Sequence, residues 1–251
     1  MRWLSSLALI LPACALGEGD PWGELDVAMQ VRFSPPADRI KEGLVATARD
    51  YRVQLDELVV TVTTLAISSG EDAIAFDPAN PPPGYSLCHN GHCHAADGRL
   101  VAYEDIGESG GGGEALVTLN GESVVVDDVS EVPLSGCDGL CEVLEPAHLN
   151  ALSASVGLRV AGRAFDSRPE ARLPEDGVAF DFVLPVRDLL VPMDARFGPD
   201  QRLGLAIDAM LNVPASLFDD VDFAALDGAT QAASARFDED ATLTFDLSRF
   251  D

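Results

Sequence analysis

Between Leu25 and Phe33 every second residue is apolar: Leu25, Val27, Met29, Val31 and Phe33 alternate with Asp26, Ala28, Gln30 and Arg32. A period of two places one row of side chains on each face of an extended chain, so this stretch predicts a strand with one buried face. Pro35 and Pro36 end it, because proline cannot donate to a sheet ladder. The run from Tyr51 to Ile67 is rich in β-branched residues and predicts one long bent strand or two short ones, with Asp56-Glu57 marking the bend or bulge. Further strand signals fall at 73–76, 100–106, 115–119, 123–126, 156–165, 178–186, 203–211 and 241–250, separated by loops rich in glycine and proline. Pro146 is placed to open a helical turn through Ala147, His148, Leu149 and Leu152, and 214–226 suits one or two short helices. No internal repeat or heptad pattern is present. The expected fold is all-β, a Greek-key-like β-sandwich with short helices in connecting loops. At 251 residues, 24–251 is expected to form a single domain.

The most unusual stretch is Leu87-Cys-His-Asn-Gly-His-Cys-His94, which holds three of the four histidines and two of the five cysteines. Asn-Gly is the strongest short hairpin signal, since a type I′ turn needs positive φ at both central residues. With Asn90 and Gly91 as the turn, His89 faces His92 and Cys88 faces Cys93. Alternation then directs the cysteines to one side and His89, His92 and His94 to the other. Three imidazoles on one face form a ligand set suited to zinc or copper. His148 is the candidate fourth ligand, and Asp97, Asp138 and Glu142 could ligate or orient an imidazole from behind. The competing reading is a polar hairpin tip whose imidazoles simply meet solvent.

The first residues give one basic side chain, an apolar run too short to span a bilayer, and Leu11-Pro12-Ala13-Cys14. This resembles the signal of bacterial lipoproteins, whose lipobox ends in the cysteine that is lipidated. The resemblance implies a signal peptide over 1–13, lipidation of Cys14 and a flexible tether over 14–23, rich in glycine. Ala15, where an aspartate would favour the inner membrane, makes the outer membrane of the cell envelope the expected address. An ordinary secretory signal is the alternative, and it leaves the compartment unchanged.

Export sets the cysteine chemistry, because thiols in an oxidising compartment tend to pair. Cys88, Cys93, Cys137 and Cys141 allow three connectivities; the local pairs Cys88–Cys93 and Cys137–Cys141 are the expectation. Cys88-x4-Cys93-His94 also looks like the wide-spaced haem attachment of some multihaem cytochromes. Glu142 rather than histidine follows Cys141, so no second copy exists and haem is disfavoured. Gly107-Glu-Ser-Gly-Gly111 matches the serine-hydrolase elbow only formally, since Gly110 to Gly113 cannot readily open the helix that motif needs. No catalytic residue is assigned, and a binding role is favoured over an enzyme.

Forty-two acidic against sixteen basic residues give a formal charge of −26. Such a field repels nucleic acid and anionic head groups, so contact with the membrane is expected through the lipid alone. The acidic clusters at 219–227 and 238–240 do not fit calcium-loop spacing and are expected to cap helices or face water. The two cysteine pairs, the strand from Leu203 and Phe218-Asp-Asp-Val-Asp-Phe223 give the body a further resemblance, in architecture only, to periplasmic copper-associated proteins of the methanobactin-linked type. That resemblance implies copper ahead of zinc and a role in metal capture or transfer with an envelope partner. The alternative is a metal-free, disulfide-stapled structural or protein-binding lipoprotein.

Overall fold

The computed structural model describes residues 23–70, 85–89, 92–95, 100–102, 114–144, 147–197 and 204–250. Two sheets form a sandwich that is not closed into a barrel. The smaller sheet is built on β1 (Gly23–Arg32), β15 (Gly204–Asn212) and β16 (Thr242–Phe250), with β10 (Val129–Glu131) and β12 (Cys141–Val143) both on the free side of β1. The larger is built on β4 (Tyr51–Ser69), β13 (Ala147–Asp166) and β14 (Val178–Phe197). On the other edge of β4 lie β3 (Leu44–Ala46), β9 (Ser123–Val125) and β8 (Glu114–Gly121), while β2 (Ile40–Lys41) extends β3 and β11 (Leu134–Ser135) extends β8. Pairing is antiparallel except between β1 and β15, which run parallel.

The expected alternation in β1 holds: Leu25, Met29 and Val31 are buried, and they meet Val60, Val62, Leu152 and Val156 of the facing sheet in one continuous core. β4 is one long strand, and Asp56 is skipped in its register with β13, so the bulge sits where Asp56-Glu57 suggested. Gly162 lies opposite that irregularity for a steric reason. A Cβ there would stand 2.1 Å from the Gln54 carbonyl oxygen. β14 runs through Pro185 and Pro192, which an edge strand tolerates because its outer N–H groups need no ladder partner.

Two local expectations are corrected. Residues 147–152 are not a helical turn but the start of β13, which pairs with both β4 and β14. Residues 214–226 form successive turns, and the one α-helix among the described residues is α1 (Ala229–Asp240), beside a single 3-10 turn at Ala37–Arg39. Ala229, Ala233 and Phe237 recur along its buried face, which packs against β14. The turn segment closes one end of the sandwich, with Phe218 and Phe223 packed at mixed ring angles among Tyr51, Phe180 and Phe182. Its acidic residues are tied down rather than merely solvated. Asp219 pairs with Arg39 and accepts the Ala48 amide, Asp220 pairs with Arg236, and Asp222 accepts the Tyr51 hydroxyl at 2.5 Å and Arg49 at 3.2 Å. Burial and the Asp222 carboxylate together raise the Tyr51 pKa, and the Tyr51 hydroxyl in turn lowers that of Asp222.

Candidate functional site

Between β4 and β8 the chain leaves the sandwich and makes a separate antiparallel sheet of β5 (Tyr85–His89), β6 (His92–Ala95) and β7 (Leu100–Ala102). His89 pairs with His92, the register expected for a turn at Asn90-Gly91, which themselves lie outside the described residues. Ser86 pairs with His94, and the register shifts by one between these pairs, so 87 and 88 together stand opposite 93. A bulge therefore replaces the simple Cys88–Cys93 pairing expected from an unbroken ladder. The bulge lies beyond position 89 and leaves the histidine positions in step: 89 is directly across from 92, and 92 and 94 share a face of β6 by alternation. β7 continues the sheet, with His92 opposite Ala102 and His94 opposite Leu100. The His94 side chain is half-buried. The side chains at 88, 89, 92 and 93 lie outside the described residues, as do the strand expected at 73–76, Asp97 and the Gly107–Gly111 motif.

His148 stands elsewhere, at the beginning of β13. It pairs with Arg196 of β14, and its Nε2 lies 2.8 Å from Oδ1 of Asp194, with the imidazole 17% and the carboxylate 80% exposed. Arg196 Nε approaches the same oxygen at 3.8 Å. A carboxylate on one ring nitrogen fixes the tautomer and orientation of a metal-ligating imidazole. With Nε2 bonded to Asp194, that nitrogen is open to a metal only if the bond breaks. Asp194 was missed in the sequence because the two residues are brought together only by the β13–β14 ladder.

Cys137 and Cys141 form a disulfide, as expected, closing the exposed loop that carries Asp138. Cys141 and Glu142 belong to β12, where Glu142 lies opposite Glu24 of β1. Asp138 thus lies on the loop that crosses from β11 of the larger sheet to β12 of the smaller, Glu142 on β12, and His148 on the larger sheet. Among the described residues no three His, Cys, Asp or Glu side chains converge on one point. Nor is any described helix long and apolar enough to cross a membrane. No family model matches the chain, and neither the curated proteins nor the solved structures include a match.

Proposed function

We propose that the chain is a cell-envelope lipoprotein, anchored by Cys14 to the outer membrane, that captures or transfers a transition metal ion, copper or zinc, through His89, His92 and His94. The observation that carries this reading is the register of β5 and β6, which sets position 89 across from 92 and keeps 94 on the same face. Imidazoles at such positions need no long-range folding to converge, because the hairpin fixes their spacing locally. Borderline ions suit nitrogen ligands of this kind. His148, oriented by Asp194, is the fourth ligand if the hairpin folds back towards β13.

Elemental analysis after loading with copper or zinc and exhaustive dialysis tests this reading. The expected result is about one ion per chain in the wild type and none in a His89→Ala/His92→Ala/His94→Ala variant. Equal metal in both proteins, or none in either, sinks the assignment. Affinity is expected to weaken on acidification, because protons and metal ions compete for the same imidazole nitrogens.

A metal-free lipoprotein that acts as a structural or protein-binding module is the second reading. The disulfide and the His148–Asp194 pair favour it, since both give chemistry-bearing side chains a purely structural role. It predicts no metal uptake and an unchanged fold in the triple-histidine variant.

A further inference from the structure

One edge of β4 is open part-way along the larger sheet. The opposite edge pairs with β13 from Tyr51 to Ser69, interrupted only by bulges. On the open side β3 covers 52–53 and β9 covers 59–61, and among the described residues no strand pairs with 54–57. Each end of this gap has a cause. Glu42 and Gly43, with φ of 57° and 80°, form the turn from β2 into β3 at the point where 43 would face 55. Beyond β9 the chain leaves for the smaller sheet, and the Phe33 amide donates to the Asp128 carbonyl at 2.8 Å. Peptide groups alternate sides along a strand. The Tyr51 carbonyl accepts the Thr47 amide at 3.0 Å on the β3 side, so Val53 and Leu55 face that side as well. Past the bulge, the Leu58 carbonyl accepts the Val126 amide at 2.8 Å. The N–H and C=O of Leu55 therefore point into the gap, where no backbone group among the described residues bonds them. A cavity of about 280 Å³ opens at the same place. Phe33, Val53, Leu58 and Val126, all buried, form its apolar floor, and the exposed Val125 stands at its rim with Asp56 and Asp127.

We propose that the gap takes an extended segment of a partner protein, which adds as a short strand beside Leu55, buries one aliphatic side chain against the cavity floor and sets basic residues near Asp56 and Asp127. Neither the metal nor the lipid enters this inference. Four residues at ~3.3 Å each leave about 13 Å of open edge, room for a strand of three or four residues. The cavity falls just under the range of about 300–1,000 Å³ typical of small-molecule sites, so it suits a side chain or two rather than a whole cofactor. In strand addition, main-chain bonds supply affinity and alternate side chains supply specificity. A residue paired with Leu55 points, as Leu55 does, towards the core, and its two neighbours point to the outer face. On that face the charge of Glu57 is offset by Arg159 at 2.7 Å, whereas the partner of Asp56 is the neutral Gln54 amide at 3.0 Å. An apolar residue flanked by lysine or arginine therefore matches both the floor and the rim. The rival reading is that the acidic bulge only guards an open edge against pairing, and it predicts that no peptide binds.

Fluorescence anisotropy of a labelled hexapeptide of alternating lysine and valine, titrated with the full-length chain, tests the proposal. Amide exchange of the isotope-labelled chain, followed by NMR, locates the contact. Three further peptides separate the causes: glutamate in place of lysine, serine in place of valine, and N-methylated valine, which keeps charge and side chains but lacks the donors. The expected result is saturable binding of the lysine–valine peptide, at least about tenfold weaker for the N-methylated and serine peptides and absent for the glutamate peptide. Asp56→Asn/Asp127→Asn should weaken binding at least about threefold, and saturating peptide should slow exchange of the Leu55 amide at least about threefold. No binding of the lysine–valine peptide overturns the proposal in favour of a guarded edge. Equal binding of the serine or N-methylated peptide also overturns it, since attraction to the chain's overall negative charge would then be enough. An unweakened Asp56→Asn/Asp127→Asn variant, or unchanged exchange at Leu55, places the contact elsewhere and overturns it too.

Discussion

Asp166, the last residue of β13, is expected to be the most consequential single carboxylate for stability among the described residues. Its side chain is 3% exposed and accepts the Arg172 amide at 2.7 Å, Arg172 Nε at 3.0 Å and the Arg168 amide at 3.1 Å. The Arg172 guanidinium so held lies 4.1 Å over the ring of Tyr51 and donates to the Arg49 carbonyl, joining the turn after β13 to the start of β4. Hydrogen bonding from the Arg172 side chain, helped by the two amides and opposed by burial, pulls the carboxyl from the ordinary 3.8 down to about 2. A folded value below the unfolded one means the carboxylate contributes fully above about pH 4 and loses that contribution as pH falls towards 2. The gap corresponds to roughly 2.5 kcal/mol at most, and with residual screening about 1–2 kcal/mol is a realistic expectation. Asp166→Asn should therefore lower the midpoint of thermal unfolding by about 3–6 °C at pH 7. Urea titrations at pH 7, 5 and 3 should show the deficit constant between the first two and about half gone at the third. A deficit of equal size at pH 7 and pH 3 would mean that the charge on Asp166 is not what stabilises this corner, and the reasoning would be wrong.

Two further substitutions probe the scaffold. Gly162→Ala should cost about 1–3 kcal/mol in urea unfolding, because its Cβ has no room against the Gln54 carbonyl and Phe180, and a wild-type midpoint would refute the close approach. Replacing Cys137 and Cys141 together with serine should cost about 2 kcal/mol, the loop-closure value for so short a loop, and should abolish any difference between reducing and non-reducing unfolding at that site.

Where burial alone shapes a segment, its pattern is readable in the sequence: β1 follows its period of two, and β4 bulges where Asp56 interrupts the apolar run. The misreadings have one physical source, a departure from strict alternation. Leu149 and Leu152 are three apart, a helical spacing, yet both are fully buried on a strand because the register shifts at Asn150 between them. Leu217, Phe218 and Val221 likewise mimic a helical face but plug the sandwich from a chain of turns. The real helix, α1, hides its face behind alanines at 229 and 233, and Gly228 with φ of 82° before it was the available signal. At the candidate site the pairing of His89 with His92 was legible because it is local. The bulge at 87–88 and the Asp194 partner of His148 were not, since one depends on sheet register and the other on the long β13–β14 pairing.

The architecture also bears on why the histidines are where they are. β4 and β8 stay paired up to Ser69 and Glu114, so the sandwich closes its own ladder at the roots of the segment between them. Among the described residues, strands β5, β6 and β7 pair with one another and with no strand of the sandwich. A closed pair at the base makes the loop's entropic cost grow only slowly with its length, so the sandwich tolerates such an excursion without drawing strand pairing from it. The ladder that holds the body together therefore does not dictate Cys-His-Asn-Gly-His-Cys-His. The concentration of histidine on this one hairpin, in a chain with a single histidine in its main sheets, is therefore not imposed by the sandwich.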